Sequence, residues 1–255
     1  MPCYATAKIK YPCGCVMAVL PRIVNQTKES VMFCGMLEVN PRSDQVDAYF
    51  GMAKMLRPEL EKIDGFIENA RYTSLSRPGW ILSLSSWRDE KSLVRWSVEM
   101  SHHKIMQAAR DRVFADYSMH IGEFITDTRL PAGQTLLQQR LDVTEVGIGK
   151  AITLLDAQRE PDWVKQAGAD AVAKSLGFDP AASEVVTWDV FDAIATPGDA
   201  MVLVKWADLA AAEAFAREVT LPEDVRLRNI RVVRDYGMFD RREAPQYFAE
   251  VHPKA

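Results

Sequence analysis

Cysteine is scarce in this chain and unevenly placed. The four cysteines are Cys3, Cys13, Cys15 and Cys34, and none follows among the 255 residues. A disulfide framework that spans the fold is therefore excluded. Cys13 and Cys15 could hold a metal together with Cys3, but thiolate zinc sites normally present two spaced pairs, and no histidine precedes His102. We therefore expect incidental cysteines and no metal site.

Long apolar runs and an excess of basic charge are also absent. No stretch approaches the roughly 18–20 apolar residues of a membrane span. The run near residues 15–20 is too short for a secretory signal and lacks a cleavage site after it. The chain has 31 basic and 35 acidic residues, which argues against electrostatic binding of nucleic acid. The composition predicts a soluble, cytoplasmic protein that binds neither membrane nor nucleic acid.

Several common catalytic motifs are missing as well. The segment Gly147-Ile148-Gly149-Lys150 lacks the further glycine of a phosphate-binding loop. The sequence contains no Gly-x-Ser-x-Gly, His-x-x-His or His-Glu-x-x-His motif. These absences argue against nucleotide-binding folds, serine hydrolases of the elbow type and zinc proteases.

What the sequence does contain is a weak internal repeat. Three matches share an offset of 119 positions: Trp87-Arg88-Asp89 with Trp206-Ala207-Asp208, Trp96 with Phe215, and Asp116-Tyr117-Ser118-Met119 with Asp235-Tyr236-Gly237-Met238. Three matches in one register indicate a duplication, since self-similarity at a fixed period is the signature of repeated units.

Each half of the chain predicts the order β-α-β-β-α-β. In the first half, apolar periodicity predicts strands over about 32–39, 66–75, 80–87 and 113–124, and helices from residue 43 or 44 and over about 90–109. In the second half, it predicts strands over about 149–156, 185–194, 200–206 and 226–239, and helices over 161–176 and 209–219.

This order is that of the ferredoxin-like unit, whose sheet carries helices on one face only. Two copies in one chain can cover each other's open faces. We therefore predict an α+β fold in which two ferredoxin-like repeats pack as a barrel-like pseudo-dimer. The expected segments are a flexible leader (1–30), a first repeat (31–128), a linker (129–146) and a second repeat with a C-terminal tail (147–255).

The motifs of the first half resemble those of a known family. They are the strand opening Gly65-Phe66, the hairpin end Ser86-Trp87-Arg88-Asp89-Glu90, and a helix with Leu93, Trp96 and the pair His102-His103. With these residues the chain resembles the antibiotic biosynthesis monooxygenase family of the dimeric α+β barrel superfamily. The resemblance covers residues 32–126 well and 147–242 more loosely.

The resemblance implies a cofactor-independent monooxygenase that uses dioxygen to oxidise a small aromatic substrate of the phenol or quinol type. It leaves a heme-binding or heme-degrading protein as one alternative. Trp96 matches the tryptophan of that branch, but the axial histidine expected near Met106 to Ala109 is missing, and Asn40 lies only at the end of the first strand. A non-catalytic ligand-binding or structural protein of the same fold is the other alternative. A homo-oligomer is compatible with each.

Histidine supplies the candidate catalytic residues. The chain has four histidines, and three of them, His102, His103 and His120, fall in the first half. This asymmetry predicts one functional cleft and one structural copy. His102 or His103, about two helical turns beyond Trp96, is the candidate general base, because imidazole titrates near neutral pH. His120, on the last strand, is the candidate polar contact. Solvent-exposed histidines are the alternative interpretation.

Aromatic and basic residues supply the candidate substrate contacts. Trp96, Tyr72 and Trp87 are predicted to line an aromatic pocket, although aromatic side chains on such a hairpin more often belong to a core. Arg95 and Arg71 could stabilise a phenolate or enolate, or lie on the surface as solvated charges.

Overall fold

A computed structural model describes residues 28–30, 32–130, 132–140, 147–181 and 185–239. Over these residues the strands are β1 (Lys28–Ser30), β2 (Phe33–Pro41), β3 (Phe66–Ser74), β4 (Ile81–Trp87), β5 (Phe114–Asp127), β6 (Gln134–Leu136), β7 (Ala151–Gln158), β8 (Thr187–Ala193), β9 (Asp199–Trp206) and β10 (Arg226–Gly237). The helices are α1 (Val46–Lys62), α2 (Glu90–Ser97), α3 (Met100–Arg112), α4 (Pro161–Ala167), α5 (Ala169–Ser175) and α6 (Leu209–Glu218). No helix in these ranges is long and apolar enough to cross a membrane.

Eight of the strands close into an antiparallel barrel. Their order around it is β10-β5-β2-β4-β3-β8-β9-β7, and β10 also pairs with β7. The strands of each half are therefore neighbours, and the halves meet at two seams, β3 with β8 and β5 with β10. This arrangement confirms the predicted α+β class and adds the closed barrel, in which no strand of the sheet is left as an open edge.

Two predicted helices are each divided. The helix expected over 90–109 breaks into α2 and α3, because the Glu99 carboxylate accepts hydrogen bonds from the backbone N–H groups of Ser101 and His102 and so starts a new helix. The helix expected over 161–176 breaks at Gly168, whose φ of 75° is open mainly to glycine.

Parts of the expected leader and linker pair with each other. Lys28–Ser30 forms a parallel pair with Gln134–Leu136. The rest of the leader, with Cys3, Cys13 and Cys15, and the tail from residue 240 onward lie outside the described residues. Cys34, by contrast, is buried in β2, and burial raises the pKa of its thiol to about 12.

Two of the three repeat matches occupy equivalent places. Trp87 and Trp206 each pair with the beginning of the first strand of their half, at Phe33 and Ala151. Trp96 and Phe215 lie on the helices that follow. In both halves, the aspartate two residues after the hairpin tryptophan caps the next helix, through hydrogen bonds from the backbone N–H groups of Ser92 and Ala211.

The third match does not hold in three dimensions. Tyr236 pairs with Met119 and Gly237 with Ser118 across the seam between β10 and β5. The two Asp-Tyr-x-Met segments are thus neighbours in the barrel. They do not hold equivalent places, because Glu38 pairs with Ser118 whereas its counterpart Asp156 pairs with Arg226 and not with Gly237.

The residue that corresponds to His120 also changes. Met36 and Leu154 hold equivalent places on the first strands of the two halves, since they pair with Leu84 and Leu203, which are offset like the hairpin tryptophans. Met36 pairs on its other side with His120, and Leu154 with Arg228. Arg228, and not Phe239, is therefore the counterpart of His120.

The core has an inner and an outer layer. Side chains from all eight barrel strands meet in the interior, among them Met36, Leu84, Phe191 and Leu203. The opposite faces of the same strands pack against helices: α1–α3 cover the first half and α4–α6 the second. Both faces of these strands are therefore largely apolar.

Candidate active site

A cavity of about 150 Å³ lies between the first-half strands and helices α1, α2 and α3. Its floor is the outer face of β2, β3, β4 and β5, and Tyr236 of β10 contributes from the seam. Most of the lining is apolar, including Leu37, Met52, Leu56, Ile105, Met106 and Met119. A mostly apolar cavity with a few polar groups is the usual form of a small-molecule site.

Polar side chains form a strip across the floor of this cavity. On β3 and β4, Asn69 lies opposite Ser85, and Arg71 opposite Ser83. The Asn69 Nδ2 atom donates to Ser83 Oγ at 3.0 Å and to the backbone oxygen of Leu84 at 3.1 Å. Among the described residues, Asn69 Oδ1 and Arg71 Nε are buried without a hydrogen-bond partner. The strip can therefore offer an acceptor and a charged donor to a ligand.

On the helix side, the His102 imidazole stacks on the Trp96 indole. Their ring centroids are 4.3 Å apart and their planes differ by 28°. Burial lowers the pKa of His102 to about 4, although hydrogen bonds with the backbone of Ser97 and Trp96 act in the opposite direction. His102 is thus neutral at neutral pH. Its Nδ1 atom is buried and has no partner within the described part of the chain.

Three of the predicted site residues line this cavity: His102, Trp96 and Trp87. Trp87 is fully buried, and its Nε1 donates to Ser85 Oγ at 2.9 Å. His103 lies on the same helix but does not line the cavity. One member of the histidine pair therefore lines the cavity and the other does not. The prediction assumed one continuous helix and did not say which, and the helix breaks between Trp96 and His102.

Arg95 lies away from the cavity. Its side chain is 45% exposed, and its Nη1 lies 3.5 Å from the carboxylate of Asp64. The alternative interpretation of Arg95, a surface charge, matches this position.

His120 and Tyr72 also lie elsewhere, on the inside of the barrel. His120 Nε2 is 2.9 Å from Lys205 Nζ and 3.5 Å from Glu38 Oε1. Tyr72 packs against the interior cluster, and burial raises the pKa of its hydroxyl to about 12. Side chains alternate along a strand, so Arg71 and Met119, one residue away, are the ones that face the cavity. The three histidines of the first half do not share one cleft.

Asn69 is one of several polar cavity residues that the sequence interpretation missed, and Arg71 is one that it considered but did not select. The signal was the alternation along β3, in which Asn69 and Arg71 share one face and Tyr72 the other. That pattern separates the two faces, but it does not identify the face that lies under the helices.

The second half has no matching polar strip. The pairs that correspond to Asn69–Ser85 and Arg71–Ser83 are Trp188–Val204 and Val190–Val202. These four residues belong to an apolar core with Phe178, Trp206 and Phe215. These polar groups thus belong to the first half, and the corresponding places in the second half are apolar.

Metal ligands are not grouped in this region. Across the residues that the structure describes, no cluster of three or more His, Cys, Asp or Glu side chains could hold a metal ion.

The chain belongs to the antibiotic biosynthesis monooxygenase family, and it is a monooxygenase. The relative that shows this is "Jasmonate monooxygenase ABM" of Pyricularia oryzae (strain 70-15), which is 42% identical over 222 residues. The match covers 85% of this chain and 98% of that protein. No family model matches the chain.

Two solved structures resemble the barrel more distantly. An aldoxime dehydratase (OxdRE) in complex with butyraldoxime is 12% identical, with a TM-score of 0.47, over 80% of this chain and 79% of that one. A crystal structure of an antibiotic biosynthesis monooxygenase is 9% identical, with a TM-score of 0.32, over 35% of this chain and 94% of that one. The family assignment rests on the sequence relative, since both TM-scores are below 0.5.

Proposed function

We propose that this monooxygenase works without a cofactor and oxidises a small aromatic substrate of the phenol or quinol type in the first-half cavity. The observation that carries the proposal is the neutral His102 imidazole, which stacks on Trp96 beside a mostly apolar space and whose buried Nδ1 has no partner among the described residues. Such an atom has hydrogen-bonding capacity left for a substrate hydroxyl.

The chemistry needs no external reductant for a phenol. Loss of the phenolic proton leaves an electron-rich anion that transfers electrons directly to dioxygen. One oxygen atom enters the ring and the other leaves as water, so phenol and dioxygen yield quinone and water, and the substrate supplies all four electrons. The protein then contributes position, proton transfer and stabilisation of the anion.

His102 is the proposed proton acceptor. Its pKa of about 4 keeps it neutral and therefore able to accept a hydrogen bond from a hydroxyl. Negative charge that develops on the substrate oxygen raises the proton affinity of the ring at the moment of transfer. Trp96 and Trp87 are the proposed pocket walls.

Jasmonate is a second candidate substrate, favoured by the name of the relative that is 42% identical. Jasmonate is a cyclopentanone with a carboxylate. A single hydroxylation takes two electrons from it, so the reaction also needs a two-electron reductant. An assay with and without ascorbate separates this reaction from the self-sufficient oxidation of a phenol.

A heme site fits the described residues less well. The cavity of about 150 Å³ is much smaller than a porphyrin needs. Met106 and Ala109 line it where heme-degrading relatives are expected to carry the axial histidine. No step is therefore assigned to heme, and added hemin should give no Soret band that depends on His102.

We also infer that the two halves form a pseudo-dimer. The register supports this inference, because Thr73 pairs with Asp192 and Glu123 with Arg231, so that each seam is centred on corresponding residues. A cytoplasmic location and homo-oligomer formation remain predictions.

An oxygen electrode tests the proposed activity. Purified protein freed of metal is supplied with hydroquinone, 1,4-naphthoquinol or jasmonate, with His102→Ala, His103→Ala and His120→Ala as variants. We expect oxygen uptake with a quinol that His102→Ala abolishes and His103→Ala preserves. Unchanged turnover in all three variants would show that the histidine assignment is wrong. No uptake with any substrate, with or without ascorbate, would favour the non-catalytic ligand-binding alternative.

A further inference from the structure

We propose that Arg71 binds a carboxylate of the substrate, and that the cavity takes a small monocarboxylic acid with an apolar body. The inference concerns the same cavity as the proposed function, but it is a statement about binding and does not depend on turnover. It identifies a specificity-determining residue and the charge of its ligand.

Arg71 is a cation without a counter-ion. Within the described ranges no carboxylate lies within ion-pair distance of it, and its buried Nε lacks a hydrogen-bond partner. Its side chain forms a hydrogen bond with the hydroxyl of Tyr49. Burial raises the pKa of that hydroxyl, so the hydroxyl stays protonated and neutral. A buried or half-buried charge is costly unless it is paired, so an Arg in this position is poised for an anion from outside the chain.

Other arginines and lysines around the barrel do have carboxylate partners. Arg228 pairs with Asp156, Arg231 with Glu123, Lys205 with Glu38, and Arg226 with Asp127. The cations that stabilise the barrel are therefore paired with carboxylates of the chain. Arg71 has no such partner among the described residues.

The walls around Arg71 suit a carboxylate with an apolar body. Among the described residues that line the cavity there is no Asp or Glu, and the other cation, Arg57, is 47% exposed and already pairs with Glu61. An anion that enters therefore meets an unpaired guanidinium in surroundings of low polarity, where charge attraction is strong. The planar fork of arginine matches a carboxylate with two parallel hydrogen bonds.

The barrel itself does not require a charge at this place. The corresponding residue of the second half is Val190, which is fully buried and pairs with Val202 as Arg71 pairs with Ser83. An apolar side chain therefore packs well at the equivalent position of the second half, so packing alone does not explain why an arginine occurs at position 71.

Equilibrium binding under anaerobic conditions tests the proposal. The probes are benzoate and jasmonate, each compared with its methyl ester, and binding is followed by calorimetry and by tryptophan fluorescence, since Trp87 and Trp96 line the cavity. We expect each acid to bind the wild type about 10- to 100-fold more tightly than its ester. Arg71→Gln should remove this preference, and Arg71→Lys should keep part of it.

Arg57→Gln is the matched control, because it removes the other cation of the lining. It should preserve the preference for the acids. Circular dichroism of each variant establishes that it is folded.

Equal binding of acid and ester to the wild type, or no saturable binding of either acid, would overturn the proposal. So would a preference that survives in Arg71→Gln or disappears equally in Arg57→Gln. Arg71-dependent binding without oxygen uptake would contradict the proposed function and leave this inference standing.

Discussion

The imidazole of His102 lies 4.3 Å from the indole of Trp96, centroid to centroid, in a nearly parallel stack. The two residues come from different helices, α2 and α3, which the Glu99 cap separates. The break in the helix thus turns His102 toward the sheet. Its ring becomes a buried neutral group in the wall of the cavity, and its aromatic neighbour fixes its orientation.

A variant that keeps the stacked ring but lacks the nitrogens can distinguish the catalytic role of His102 from its packing role. His102→Phe retains an aromatic ring against Trp96 but loses both ring nitrogens. We expect turnover to fall about 100-fold or more, the usual contribution of a positioned base, while the melting temperature changes little. Steady-state oxygen uptake together with a thermal melt measures both, and His103→Ala is the control. A His102→Phe variant with wild-type turnover would contradict the role.

Stability should depend on pH through the same ring. The pKa of His102 is lowered from 6.5 to about 4 in the folded protein, chiefly by burial. Between these values the unfolded chain binds a proton that the folded protein does not, so stability falls as the pH drops from about 6.5 to 4. We expect the melting temperature of His102→Phe to fall less over this interval than that of the wild type. Equal pH slopes for both proteins would contradict this prediction.

Glu38 should be important for stability inside the barrel. Its carboxylate contacts Lys205, Arg77 and His120. Burial acts to raise its pKa, but the hydrogen bond with His120 and the charge of Lys205 together hold the pKa well below its usual range. Glu38→Gln leaves the buried Lys205 ammonium without its carboxylate partner and should lower the free energy of unfolding by about 3–5 kcal/mol.

Urea denaturation measures that loss, and Glu61→Gln is its control. Glu61 is an exposed helix residue paired with Arg57, so its replacement should cost less than about 1 kcal/mol. Similar losses for the two variants would show that the interior network has no special role.

Gly122 marks a close approach of two strands at the seam between β5 and β10. A Cβ atom there would lie 2.2 Å from Ile230 Cγ2 and 2.9 Å from the backbone oxygen of Arg231. The backbone cannot yield as a flexible side chain can. Gly122→Ala should therefore destabilise the barrel by about 1–3 kcal/mol.

At Gly51, in contrast to Gly122, an added side chain has free space around it. A Cβ atom at Gly51, in helix α1, would meet nothing within 4 Å, so Gly51→Ala should stabilise the protein by about 0.5–1 kcal/mol. Thermal melts of both variants give the comparison, and a shift in the same direction for both would contradict the assignment.

Several features could be predicted from the sequence because they depend on local patterns. The order of strands and helices follows from apolar periodicity, and the equivalence of Trp87 with Trp206 follows from the aspartate cap two residues later. Helical spacing from Trp96 also indicated that one of His102 and His103 would lie on the Trp96 side, but it did not say which, and the helix breaks at Glu99. The match of Tyr117 with Tyr236 failed because equal spacing in the sequence does not fix the register of the last strand.

The sequence by itself determined the α+β class, the family resemblance and the clustering of histidines in the first half. The tertiary structure decided which of these side chains meet. Barrel strands are apolar on both faces, one toward the interior and one toward the helices, so alternation alone cannot identify the face that borders a cavity. In the closed barrel, His120 and Tyr72 lie in the interior. Asn69 and Arg71 lie on the outer face beneath the helices, in the same cavity as His102 and Trp96.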